Sequence, residues 1–275
     1  MPTKRPETKA AAAARVHRTA KLDDRDLSST GLLQSLQRGI AVLTYVSDTS
    51  PPPTTTQVAE ALDLDRTVTH RILRTLESEH LVEQVGNGFV PGPATVMLAN
   101  LYLDRARIRR VSLPYQIDFL HRGYPNEPWS LTVMLRVGAY VTDASRVWSP
   151  TAPLDSLLNI GPRVHLRDAA AGRCILAFLD QPEVTELLGA QEAQRLRPQL
   201  NQIRDVGGID FVVDSDRPGV APGLAALSAV IRTRSGQPFA GLTLSGTGLN
   251  DHLQSDSPVA RRLARTADEI GRAIS

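Results

Sequence analysis

Between positions 66 and 74 the chain carries Arg66, Thr67, His70, Arg71 and Arg74, three guanidiniums, an imidazole and a hydroxyl in one short stretch. These groups bind anions and base edges. An arginine presents a planar fork of donors that matches phosphate or the O6 and N7 of guanine, while threonine and histidine serve bases or phosphates less selectively. If the stretch is a helix with Ile72 turned inward, Thr69, Leu73 and Leu76 share its side, Thr67, His70, Arg71 and Arg74 cluster opposite, and Arg66 flanks them. One side packs and the other is left for an anionic partner.

Enzyme chemistry has weaker footing. The run Leu244-Ser245-Gly246-Thr247-Gly248 resembles a nucleophile turn only superficially, because the G-x-S-x-G spacing is missing. Gly241, Gly246 and Gly248 have no lysine after them and open no helix after a first strand, as a phosphate loop would. The six histidines show neither H-x-x-x-H nor Cys-His ligand spacing, and the single cysteine, Cys174, has no partner for a disulfide or a metal cluster. The reading is therefore of a protein that is not an enzyme, with no cofactor and no metal.

The elements around the basic stretch would position it. Leu32, Leu36, Ile40, Leu43 and Val46 recur at helical spacing, and the prolines at 51–53 stop that helix. Thr54 and Gln57 stand as a capping box for a second helix over about 55–62 that buries Val58, Ala61 and Leu62. After the tight step Asp63-Leu64, Asp65 caps the third helix, which carries the five polar side chains. The run 81–90 then folds back on itself around Gly86-Asn87-Gly88, where Asn-Gly supplies the positive φ of a tight hairpin. Three helices closed by a two-stranded hairpin make a winged helix-turn-helix spanning 33–93.

Twenty-eight arginines face only three lysines (Lys4, Lys9, Lys21), and the net charge is +2. Binding of a polyanion must therefore come from local patterning, or from residues 1–32, which read as a disordered basic tail with little to bury. Residues 94–112 read as a linker helix ending in Arg105, Arg107, Arg109 and Arg110. From 113 to 275 helices and strands alternate, with strands near 129–136, 139–147, 208–213, 224–233 and 238–245. Hairpin-linked strands imply an antiparallel sheet flanked by helices, so the fold class is α+β. No apolar run reaches the roughly 18 residues of a membrane span, and no secretory signal opens the chain, which points to a cytoplasmic protein without a membrane partner.

The ordered set SLQRGIAVL (35–43), QVAEALDLDRTVTHRILRTLESEHLVEQ (57–84), AAAGRCILAFL (169–179), GGIDFVVDSDRPGVAPGLAALSAVI (207–231) and GLTLSG (241–246) resembles the IclR-type bacterial transcriptional regulators over residues 33–272. Arg38-Gly39 and the segment Tyr124–Trp129 look most like the regulators of aromatic-acid catabolism. The resemblance implies a winged helix-turn-helix, a linker helix and a GAF-like effector domain. It also implies homodimers or dimers of dimers on double-stranded operator DNA, and a small organic acid as effector. Arg38, Thr54 and Gln57 join Arg66, Thr67, His70, Arg71 and Arg74 as the DNA-binding set. Departures from the family pattern are Thr67-Val68-Thr69 where Ser-Thr-Val is common, and a wing with Glu83 and no Lys or Arg. The implied effector pocket lies between Ala170, Ala171 and Gly172 and the strands bearing Ala226, Thr243 and Ser245, with Asp214 after the strand at 208–213. Trp129, Leu131, Leu157 and Leu158 are expected on its apolar side. Val212, Val213 and Ala226 stand where polar residues are usual, so the expected effector is a carboxylate with an apolar or aromatic body. A ligand-independent DNA-binding protein, or an enzyme fused to a DNA-binding domain, is the alternative.

Overall fold

A computed structural model describes residues 31–105, 107–152, 163–213 and 224–274. The chain divides into two compact units between Tyr102 and Leu103. In the first, α1 (Gln34–Asp48), α2 (Thr55–Leu62) and α3 (Arg66–Ser78) precede a hairpin of β1 (Val82–Val85) and β2 (Gly88–Pro91). Val42, Val46, Val58, Leu73, Val82 and Phe89 form its core. The caps are those the sequence announces. Gln57 N–H donates to Thr54 Oγ1 at 3.4 Å while Thr54 N–H donates to Gln57 Oε1 at 2.8 Å, and Asp65 Oδ1 accepts from Thr67 N–H (2.8 Å) and Val68 N–H (3.0 Å).

Three local expectations are corrected. The hairpin turn is Gly86-Asn87, with the positive φ at Gly86 (62°) instead of at an Asn-Gly pair, which is the pattern of a turn whose first central residue is left-handed. In α2 it is Ala59, not Ala61, that is buried beside Val58. In α1 the core takes Val42 and Val46, whereas Leu36 and Ile40 lie on the outside.

The linker is also not one helix. Helix α4 (Ala94–Arg105) stops, Arg107 adopts φ 53°, and α5 (Ile108–Ile117) begins again before widening into a π-helical turn over Asp118–Gly123. Residues seven apart on a continuous helix share a face. Leu101 of α4 is 58% exposed, whereas Ile108 at the start of α5 is 1% exposed.

The second unit is built on a six-stranded antiparallel sheet in the order β5-β4-β3-β8-β7-β6. The strands are β3 (Trp129–Val137), β4 (Tyr140–Trp148), β5 (Val164–His165), β6 (Ile209–Val213), β7 (Ala225–Arg232) and β8 (Pro238–Gly246). Only the two-residue β5 has no counterpart in the sequence reading; it is too short to show a period. Alternation along the strands divides the sheet. Leu131, Val133, Leu227, Leu242 and Leu244 pack with α5 and the C-terminal helix α9 (Pro258–Ile274). The other face carries α6 (Ala170–Leu176), α7 (Gln181–Leu188) and α8 (Ala190–Asp205) through Val141, Val230, Cys174 and Ile175. Gly241 is where α6 comes closest: a Cβ there would stand 2.7 Å from that of Ala171.

Candidate nucleic-acid interface and effector surface

On α3 the hydrophobic side seats Leu73, with Ile72 and Leu76 packed against the same core. Thr69 is fully buried and its hydroxyl donates to Asp65 O at 3.0 Å, so the transposed Val68-Thr69 pair leaves a short hydroxyl inside and a half-buried valine at the edge. Arg66, Thr67, His70, Arg71 and Arg74 are all exposed. Arg74 is tied to Glu77 by a 2.7 Å ion pair on the surface. Arg71 and half-buried Arg38 line one groove of about 590 Å³ between α1 and α3, with Leu36, Ile40, Leu43 and Val68 along its walls. Thr54 and Gln57 are engaged with each other at the start of α2. The wing exposes Glu83, Gln84 and Val85, so no cation extends the basic face along it.

Strand register defines the face of the sheet that carries Ser245. One row across the strands reads Trp148, Ser130, Ser245, Ala226 and Val212; the next reads Arg146, Thr132, Thr243, Ser228 and Asp210. Directly opposed residues of antiparallel strands point the same way, so each row lies on one side. In the first row Trp148, Ser245, Ala226 and Val212 are partly exposed. The second row is largely sealed, with the Ser228 and Thr243 hydroxyls 2.9 Å apart and Asp210 held by Arg173 of α6 at 2.6 Å. Ser245 lies inside β8, not on the sharp strand-to-helix turn that a nucleophile elbow needs.

Parity corrects two of the expected pocket residues. Leu131 opposes Leu244 and Trp129 opposes Gly246, which puts both on the far side of the sheet from Thr243 and Ser245. Trp129 is buried there against Tyr124 and His252, its indole N–H donating to Thr247 O at 3.2 Å. Ala170 and Ala171 are buried as the first residues of α6, a helix start without a side-chain cap. Leu157, Leu158 and Asp214 fall outside the described residues, as does the tail before residue 31.

The sequence reading missed Arg146 and Trp148. A β-bulge between Val133 and Met134 of the register sets an extra residue, Ala144, into β4, so that Asp143 and Arg146, three apart, emerge on the same face. They form an ion pair with side chains 14% and 19% exposed, and Arg146 lies 6.0 Å from the Trp148 ring centroid. Burial pushes the Asp143 carboxyl above its ordinary range, against the pull of Arg146. The Trp148 indole nitrogen is covered and has no hydrogen-bond partner among the described residues.

Residues 35–86 match the IclR helix-turn-helix domain. The chain is similar to the transcriptional repressor IclR of Escherichia coli K12, 24% identical over 234 residues that cover 79% of this chain and 81% of that protein. It is similar also to the glycerol operon regulatory protein of Streptomyces coelicolor, 26% identical over 255 residues covering 88% and 95%. Among solved structures, an IclR homolog from Microbacterium hydrocarbonoxydans complexed with 4-hydroxybenzoate shares the fold with a TM-score of 0.61 at 17% identity, over 87% of this chain and 98% of that one. The class is thus a DNA-binding protein of transcription regulation. Within it the N-terminal unit is a helix-turn-helix of IclR type, followed by an α+β unit with an antiparallel sheet. No helix among the described residues is long and apolar enough to cross a membrane.

Proposed function

We propose that the protein binds operator DNA through the exposed face of α3, and that a small carboxylic acid, an aryl carboxylate foremost, modulates that binding from the partly open row of the sheet. The observation that carries the first half is that Arg66, Thr67, His70, Arg71 and Arg74 all reach solvent from one capped helix following a tight turn after α2. A recognition helix presents such a face to the major groove, where arginine reads guanine and shorter polar groups contact bases or phosphate. Arg38, Thr54 and Gln57 would flank it. In support of the second half, the open row combines a hydroxyl (Ser245) with an indole and two aliphatic side chains, a lining suited to an acid with an apolar body. The 4-hydroxybenzoate held by the Microbacterium homolog supports an aryl acid as the first candidate.

The test uses the full chain with benzoate, 4-hydroxybenzoate, phenylpropionate and glyoxylate, and DNA from upstream of its own and adjacent coding regions. Aryl acids are expected to stabilise the protein by about 2.7 kcal/mol at 100 times Kd and to change DNA affinity. Preference for glyoxylate would overturn the apolar-bodied effector, and indifference to every acid would make this a ligand-independent DNA-binding protein.

Self-association into a homodimer or dimer of dimers belongs to the same reading. Helix α4 buries none of its residues and exposes Val96, Met97, Leu98, Leu101 and Tyr102, while Leu33 before α1 and Leu36 and Ile40 within it are exposed. Apolar side chains in such number on one unit mark a protein contact. Leu98→Glu with Leu101→Glu is expected to give monomers by light scattering at micromolar concentration and to weaken operator binding at least tenfold. A variant that keeps the wild-type mass and affinity would remove α4 from the interface.

A further inference from the structure

We infer that Arg146 and Trp148 of β4 form the acid-binding end of the effector site, the guanidinium taking the ligand carboxylate and the indole covering its ring. The inference rests on the effector reading above and adds to it the residues that choose an acid over a neutral analogue.

Four observations converge. First, register places Trp148 in the same row as Ser130, Ser245 and Ala226, and Arg146 in the row of Thr132 and Thr243, so both side chains rise from the face on which the ligand is proposed to sit. Second, the bulge at Ala144 is what brings Asp143 round to Arg146; a regular strand would leave residues three apart on opposite faces. Bulges are frequent beside functional sites because they re-aim a side chain in this way. Third, the ion pair is withdrawn from water although burial disfavours the Asp143 carboxylate. A carboxylate partner fixes the guanidinium in a place where a ligand anion would meet it in a low dielectric, with the planar donor edge that suits a carboxylate. Fourth, the Trp148 indole N–H is covered and has no partner among the described residues, and a buried donor of this kind suits an acceptor carried by a ligand. A second oxygen on the ligand, such as an aryl hydroxyl, would provide it. The Arg146 guanidinium at 6.0 Å from the Trp148 ring centroid leaves the two groups adjacent, so one aryl acid can reach both.

The experiment compares 4-hydroxybenzoate with 4-hydroxybenzamide, which has the same ring and hydroxyl without the charge, by calorimetry on the full-length protein. Wild type is expected to prefer the acid. In Arg146→Gln the acid should lose at least tenfold in affinity while the amide is unchanged, so the preference disappears; a merely structural role for Arg146 would weaken both ligands alike. If Arg146→Gln keeps the wild-type preference, the inference is overturned while the effector reading stands. If wild type binds neither the acids nor the amide, the effector reading falls and takes this one with it. Should Arg146→Gln fail to fold, fluorescence decides. The emission change on binding the acid should vanish in Trp148→Phe, and its persistence with Trp129 as the only remaining indole would refute the placement.

Discussion

Asp210→Ala is expected to destabilise the second unit by about 3–5 kcal/mol, because it leaves the Arg173 guanidinium buried without its anion. Arg173 sits on α6 with its side chain 10% exposed, as is that of Asp210. Its Nε–H donates to Asp210 Oδ2 at 2.6 Å, while its terminal nitrogens donate to Arg167 O and Phe211 O, both at 3.2 Å. One guanidinium thus joins α6, the segment before it and β6. The pair is no simple gain. Burial holds the Asp210 carboxyl above its ordinary range, and the attraction of Arg173 offsets this only in part. A raised folded pKa means that the native state binds the proton more tightly than the unfolded chain does, so this residue's contribution falls as pH rises through the folded pKa. Asp210→Asn, which keeps an acceptor and loses the titration, should therefore cost less than alanine. Its stability should also fall less than wild type's as pH rises from the ordinary carboxylate range. The double change Arg173→Met with Asp210→Leu should recover most of the loss, as buried pairs replaced by apolar groups often do. Urea unfolding followed by circular dichroism measures all three; a loss below about 1 kcal/mol for Asp210→Ala would mean that Arg173 finds another partner.

That pair illustrates what the chain's order of residues hides. Arg173 and Asp210 are 37 positions apart, and nothing in their local spacing announces that they meet. The first unit was legible because its information is local: a capping box spans three residues, a helical face repeats every three or four, and Asp65 lies next to the N–H groups it caps. The Arg66–Arg74 face follows from the same arithmetic once Leu73 is known to point inward. Strand positions were legible too, but their facing was not. Whether Trp129 or Ser130 shares a side with Ser245 depends on how β3 pairs with β8, more than a hundred residues away, and a shift of one residue exchanges the faces. Ala144 shows the complementary failure, since a bulge breaks the period of two and brings Asp143 onto the face of Arg146. The α1 stripe and the linker were misread for a third reason. Leu36, Ile40, Leu98 and Leu101 have the spacing of core residues and are exposed within this chain, so periodicity recorded an apolar face without recording what covers it.

On the DNA side, Arg71→Ala and Arg74→Ala should each weaken operator binding by about 1–3 kcal/mol if the guanidinium reads guanine O6 and N7, and the double change should approach the sum unless the two share a base. The larger single effect is expected from Arg71. Arg74 already holds Glu77 at 2.7 Å on the surface, and DNA must displace that contact before Arg74 can serve it. Exposed pairs of this kind are worth no more than about 1 kcal/mol, so the difference between the two variants should be of that order. Glu77→Ala follows as a test of the same contact: it frees Arg74 and removes a carboxylate from the neighbourhood of the phosphates, and should tighten binding slightly. Salt dependence separates the two possible roles. A guanine reader lost to alanine leaves the slope of log K against log salt nearly unchanged and relaxes the preference at one base pair, whereas a lost phosphate contact lowers the slope by about one and weakens all sequences alike. Because the wing offers Glu83 and no cation, the slope should respond to α3 more than to β1 and β2. Fluorescence anisotropy across a salt series measures it. Wild-type affinity and wild-type slope in both arginine variants would remove α3 from the DNA interface altogether.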